Sequence, residues 1–253
     1  GLTEYNANNG YTCVIPYYRN GIIQGFVLRN TRPNLPKETP RYLYSSGLGR
    51  GGYCDTLKQG GPAVIVEGQM DAIRLIQAGI TNVIAMGGAK ISNDIGNLLK
   101  SRNIDDVTYI PDLEYNEQGE KKTDIIKEAI KGFQSVQADG ERVIRTLYVT
   151  EIPTPEGANL NGLKIDADTY GKEHGAAALE ELLSFEGLPW YQWEFNALLQ
   201  WGYKEDNVEF SVMEGKIREI YTRCNNPFER ERIRQYVTCK EVKHIFEAFG
   251  ITP

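Results

Sequence analysis

Acidic residues recur in this chain where compact apolar runs end. Glu67 directly follows the run 63–66, with Gly68 beside it and Asp71 one helical turn further on. Asp112 and Glu114 follow a run that ends at Ile110, and Asp166 and Asp168 form an Asp-Ala-Asp element beyond one that ends near Ile152. Carboxylates brought together repel and raise one another's pKa unless a cation neutralises them. For a site made only of oxygen donors the natural cation is Mg2+ or Mn2+, held by one or two carboxylates and completed by water and substrate phosphate. An ion so held can orient phosphates and stabilise an in-line displacement at phosphorus. Any single one of these residues could equally cap a helix or sit solvated in a loop. The three acidic elements in this order argue for a site.

What would position them is a parallel sheet. Ala63-Val64-Ile65-Val66 is a short apolar run of the buried-strand type. The spacing of Ala72, Ile73, Leu75, Ile76 and Ala78 predicts a helix from Asp71 to Ala78, stopped by Gly79. A strand from Asn82 to Met86 follows, and Gly87-Gly88 turns into a helix that runs through Leu98 and Leu99. Val107 to Ile110 reads as a third strand, and Ile125, Ile126, Ala129, Ile130 and Phe133 as one face of a helix. Thr146 to Val149 is a fourth strand, with a further helix from Ala176 to Leu183. Strands alternating with helices predict a parallel sheet with right-handed crossovers. Open sheets of this kind bind ligands outside the carboxyl ends of their strands, where the acidic residues fall.

The flanks have another rhythm. Thr12 to Pro16 and Ile22 to Leu28 read as two strands joined by an Asn20-Gly21 hairpin turn. A loop rich in proline (Pro33, Pro36, Pro40) follows, then glycines around Arg50. From Gly187 onward the pattern is helical. Its aromatic start (Trp190, Tyr191, Trp193, Phe195, Trp201) is expected to anchor helices on the sheet, and Arg230, Arg232 and Arg234 lie on a wet face. Net charge is -6, unevenly spread: residues 1–60 carry seven Lys/Arg against three Asp/Glu, whereas residues 61–183 carry 12 against 20. A basic front beside an acidic middle suits a seam where phosphates and metal ions meet. With 41% hydrophobic and 25% charged residues the 253-residue chain has ordinary globular composition, which excludes wholesale disorder. No apolar run approaches a membrane span and no signal peptide opens the chain. The four cysteines are scattered without a CxxC pair, which fits a cytoplasmic protein and, with His174 and His244 also lacking ligand spacing, argues against a zinc module. A start at Gly1 rather than Met fits a piece of a longer chain.

The order of these elements resembles the Toprim domain of bacterial and phage DnaG-type DNA primases. Val64-Ile65-Val66-Glu67-Gly68-Gln69-Met70-Asp71-Ala72 is similar to the family's Val-Glu-Gly-Tyr-Met-Asp signature, and Gly87-Gly88 to its glycine turn. Lys164-Ile165-Asp166-Ala167-Asp168 with Lys172-Glu173-His174-Gly175 looks like its last acidic element, which places His174 at a helix start with a structural role. Upstream, Val14-Ile15-Pro16, Gly25-Phe26-Val27-Leu28-Arg29, Pro40-Arg41-Tyr42-Leu43-Tyr44-Ser45 and Arg50-Gly51 resemble the basic subdomain that precedes Toprim in that family. The similarity covers roughly residues 11–183. Asp112-Leu113-Glu114 departs from the family's Asp-x-Asp by one methylene, and the stretch 116–122 is an insertion without a counterpart.

The resemblance implies an α/β fold: a Toprim-type parallel sheet flanked by helices (61–185), a small mixed α+β basic subdomain before it (1–60) and a helical subdomain after it (186–253). It implies a catalytic core that makes short RNA primers on single-stranded DNA from ribonucleoside triphosphates, with a replicative helicase as a further partner. Glu67, Asp71 and Asp112 would be catalytic. Asp112, Glu114, Asp166 and Asp168 would hold Mg2+ or Mn2+, and Glu67 would either assist a metal or take a proton from the attacking 3'-hydroxyl. Arg29, Arg41, Arg50 and Lys90 would meet template or nucleotide phosphates, since cations, and arginine's planar fork above all, suit them. Two rivals remain: a Toprim nuclease using the same carboxylates, and a non-catalytic Toprim module that only binds nucleic acid.

Overall fold

A computed structural model describes the chain except residues 1–2, 20–21, 49–51, 54–56, 185–186, 205–209, 225–226 and 239–253. A short helix, α1 (Glu4–Asn8), is capped by the Thr3 side chain, which accepts from the Asn6 N–H. Two nine-residue strands, β1 (Tyr11–Arg19) and β2 (Ile22–Asn30), then pair antiparallel, and β3 (Tyr42–Tyr44) adds to the other side of β2. This is the expected hairpin, its turn lying outside the described residues. Pro16 fits because β1 is an edge strand and loses no inner ladder bond. Alternation turns Ile15, Tyr17 and Val27 into the common core and leaves Val14 exposed, while Ile22 and Ile23, at the start of β2, are exposed on both faces.

The middle of the chain runs β4 (Ala63–Val66), α2 (Gln69–Gln77), β5 (Val83–Ala85), α3 (Asn93–Ser101), β6 (Asp106–Tyr109), β7 (Leu113–Glu114) and α4 (Thr123–Ser135). After a small hairpin, β8 (Gln137–Ala138) with β9 (Glu141–Arg142), come β10 (Thr146–Val149), β11 (Lys164–Ile165), α5 (Ala167–His174) and α6 (Ala176–Ser184). The last part holds β12 (Leu188–Pro189), α7 (Trp190–Lys204), α8 (Phe210–Thr222) and α9 (Pro227–Thr238). The main sheet has the order β12-β10-β6-β4-β5, in which β10, β6, β4 and β5 are parallel and β12 is antiparallel to β10. Ala63, Ile65 and Val66 are fully buried in the strand flanked on both sides, which is why that run carries no polar residue.

Helix α2 packs with α5 and α6, while α4 packs with α7. The buried stripe of α4 is Ile126, Ala129, Ile130 and Phe133, with Ile125 turned outward. The outer edge of β5 is covered by Tyr53, which exchanges two backbone hydrogen bonds with Ala85 (3.0 and 2.8 Å) and so joins the front segment to the sheet.

Three features differ from the sequence expectation. His174 ends α5 instead of starting a helix, and Gly175, at φ +86°, lets the chain turn at once into α6. Helix α5 itself is unexpected because its buried stripe, Ala167, Asp168 and Gly171, is too polar and too small to read as apolar periodicity. The two-residue strands β7, β11 and β12 are too short to show any alternation. The aromatic start of α7 does anchor the helical part: Trp190, Trp193 and Phe195 are buried in the core they share with the sheet. Behind them Arg223 makes a two-pronged ion pair with the buried Glu194 and lies over the Trp190 ring at 5.1 Å. No described helix is long and apolar enough to cross a membrane.

Candidate active site

In chain order β5 follows β4 on one side, while β6 and β10 lie on the other, so the strand order reverses between β4 and β6. The two connections leave on opposite sides there, which opens a crevice at the carboxyl ends of that strand pair. Glu67 is the first residue beyond β4 and Asp112 the third beyond β6. The Tyr109 hydroxyl, at the last position of β6, donates to Glu67 Oε1 at 2.9 Å and fixes the carboxylate in the crevice. Glu67 is pushed up to about 7, by burial first and then by the charge of Asp112, against the Tyr109 hydrogen bond.

Asp71 stands on the first turn of α2. Its Oδ1 accepts the Asp168 N–H at 2.9 Å, which ties the start of α5 to α2. Burial, then the charges of Asp112 and Asp166, push it to about 7 as well. Gly68 is there for space: a Cβ on it would lie 2.6 Å from Asp71 Oδ2. Asp112 is raised too, by burial first, with Lys164 opposing. Lys164 Nζ lies 2.8 Å from Asp112 Oδ2 and 3.5 Å from Glu114 Oε1. Burial works against the ammonium, but the Asp112 hydrogen bond and charge outweigh it and hold Lys164 above its ordinary range.

The structure thus brings Glu67, Asp71, Asp112 and Asp166 within electrostatic reach of one another. The other two acidic candidates already face cations. Asp168 is buried with one oxygen on Arg74 Nε (3.1 Å) and the other on Lys172. Glu114 is shared by Lys122 (3.3 Å) and Lys164. Asp166 also caps α5, its Oδ1 accepting from the Thr169 N–H at 2.8 Å. Among the described residues no group of three or more His, Cys, Asp or Glu side chains stands as a ready-made metal cage. An ion that keeps most of its water needs only one or two carboxylates, and the donor set here is all oxygen, so the residues fit a hydrated divalent cation.

The basic front faces this crevice. Gln69, buried at 1% exposure, donates through Nε2 to the Tyr17 and Tyr44 hydroxyls, both at 2.9 Å, and so docks β1 and β3 on the start of α2. Tyr42 on β3 pairs across the ladder with Arg29 and feels the charges of both Arg29 and Asp71; the Arg29 Nε is buried and makes no hydrogen bond. Arg41 spends Nη1 on the Asn30 and Arg32 carbonyls (3.2 and 2.8 Å) and holds the proline-rich loop. Lys90 is exposed, and Arg50 lies outside the described residues. The insertion is a tight turn: Asn116 Oδ1 accepts from the N–H groups of Gln118 and Glu120, and Lys121 reaches Glu151 at 2.8 Å.

Tyr109, Gln69 and Lys164 are site residues that the sequence did not single out. Gln69 and Lys164 stand inside the motifs quoted above without a role of their own, and the signal for Tyr109 is a hydroxyl ending a buried strand.

The sequence matches the Toprim-like family model over residues 64–142. It is 38% identical over 98 residues to DNA primase DnaG of Staphylothermus marinus, covering 37% of this chain and 23% of that protein. To the DNA primase of Synechococcus elongatus it is 31% identical over 174 residues, covering 68% of this chain and again 23% of the other. The chain therefore spans about a quarter of the length of these curated relatives. Among solved structures, the DnaG primase catalytic domain bound to ssDNA superposes with a TM-score of 0.61 at 21% identity, over 95% of this chain and 69% of that one. Residues 64–142 are thus similar in sequence to Toprim domains. The chain as a whole is folded like the catalytic core of DnaG-type DNA primases.

Proposed function

We propose that this chain is the catalytic core of a DnaG-type primase, joining ribonucleoside triphosphates into short primers on single-stranded DNA. The observation that carries the reading is the group of Glu67, Asp112 and Asp166, partly buried, with the buried Asp71, at the reversal of strand order, with a basic sheet docked beside it. A crevice that raises several carboxylates at once is built to receive a cation. Asp112 and Asp166 would hold Mg2+ or Mn2+, which when bound neutralises and orients a triphosphate. Glu67, pushed up to about 7 and aimed by Tyr109, is matched to accepting a proton from a 3'-hydroxyl near neutral pH. Asp71 and Asp168 act as positioning residues: one fixes the start of α5, and the other is locked by Arg74 and Lys172. Arg29, Arg41, Arg50 and Lys90 would supply the cations that a template and an incoming nucleotide require. On this reading 1–60 tracks the template, 61–185 holds the chemistry and 186–253 supports the sheet. The relative solved with ssDNA supports the choice of template.

The test is ribonucleotide incorporation on a single-stranded template with Mg2+ or Mn2+. Incorporation should be present in the parent chain and lost in both Glu67→Gln and Asp112→Asn. Cleavage of the template in place of extension would move the assignment to a Toprim nuclease. DNA binding with neither reaction would leave a binding module.

A further inference from the structure

Lys164 is half-exposed, yet its ammonium is held in place. Its strand β11 pairs antiparallel with β7, setting Lys164 opposite Glu114 and Ile165 opposite Leu113. Ile165 and Leu113 are both buried, so alternation turns Lys164 to the other face of the small ladder, the side of the acidic crevice. There its ammonium sits 2.8 Å from Asp112 Oδ2 and 3.5 Å from Glu114 Oε1, and it is close enough to act on Glu67. Asp112 and Glu114 are therefore served by one covalently attached cation. Glu114 has a second, Lys122, at 3.3 Å. The Asp112–Glu114 pair is the element in which this chain carries Glu for the second Asp, and the longer side chain is the one that reaches two lysines.

We propose that Lys164 is the resident cation of the Asp112–Glu114 pair: it occupies a position that a divalent ion would otherwise take, and an ion reaching Asp112 must compete with it. This rests on the reading of the crevice as a divalent-ion site. A fixed cation lets the apo chain fold with Asp112 and Glu114 paired, while a mobile ion is admitted on the Asp166 side of Asp112. Removing the lysine charge then raises the affinity for free metal and opens one more position for it.

The experiment is a Mn2+ titration of the whole chain, followed by loss of the free-ion electron paramagnetic resonance signal, with no nucleotide or DNA present. Lys164→Met keeps the stem and removes the charge. Lys164→Arg keeps the charge, and Lys131→Met removes an ammonium that pairs with Glu128 and Glu219 on helices α4 and α8. The expected result is binding at least about tenfold tighter in Lys164→Met, equivalent to ~1.4 kcal/mol of relieved competition, with one more ion bound per chain. Lys164→Arg and Lys131→Met should bind as the parent does. Unchanged or weaker binding in Lys164→Met, with the parent binding Mn2+, overturns the role of Lys164 and leaves the metal site standing. No binding by any of the four proteins overturns the metal reading itself. Binding by Lys164→Met alone supports the competition in its strongest form.

Discussion

Glu67 and Asp71 are both held near 7 by burial and acidic neighbours, whereas the unfolded chain gives up these protons near pH 4. Between those values the folded state carries more protons than the unfolded one. Their contribution to stability therefore falls as pH rises from about 4 to 7, and it is flat above. In chelator, urea unfolding should show a less stable chain at pH 8 than at pH 5.5, by ~2 kcal/mol for each carboxylate. Glu67→Gln should remove its share of the slope; an unaltered slope would mean that the proton is held elsewhere. Asp71→Asn separates two roles of one side chain. The amide oxygen still accepts the Asp168 N–H, so α5 stays in place, while the charge that burial and Asp112 oppose is gone. That variant should gain about 1 kcal/mol at pH 8, and a loss of stability there would show that the ionised form holds α2 to α5.

At the scale of elements, the sequence is most legible where burial is two-sided and least where elements are short. The run 63–66 and the apolar face of α4 can be read directly, because a strand between two neighbours and a helix on a sheet admit few polar residues. Helix α5 cannot be read that way, since its contact with α2 is made by Ala167, Asp168 and Gly171 and by the ion pair of Asp168 with Arg74. The acidic elements were visible as types and order; the lysine between two of them was not, because only the β7–β11 pairing carries Lys164 back to Asp112. Gly96 shows the same limit in packing. It lies inside α3, where glycine ordinarily costs up to about 1 kcal/mol against alanine. A Cβ there would stand 2.9 Å from Val136 Cγ2 and 3.0 Å from the Gln137 carbonyl, so α3 rests on the chain leaving α4 through a missing side chain. Gly96→Ala should destabilise by ~1–3 kcal/mol despite the better helix former; a thermal midpoint at or above the parent's would show that the contact yields.

Over the whole molecule, one continuous core runs from Ile15 of the front sheet through the Toprim sheet to Ile233 of the last described helix. Both flanks share that core: the helical part through buried aromatics and the Arg223–Glu194 pair, the front through Ile15, Tyr17 and Val27 together with tyrosine hydroxyls on Gln69 and two backbone bonds at Ala85. The charge of the front gives the quantitative test. Each phosphate neutralised on a single strand should steepen the fall of binding with salt by about 0.7 on logarithmic axes. Oligodeoxynucleotide binding, measured by fluorescence anisotropy from 50 to 300 mM KCl, should weaken steadily for the parent chain. Arg29→Ala should weaken it at every salt and shallow the slope by about 0.7, since it removes one cation of the basic sheet, beside Tyr42. Lys131→Met, on the α4 side, should leave the slope unchanged. A slope that Arg29→Ala does not alter, or binding indifferent to salt, would take the template off the basic sheet and leave its charge without a partner.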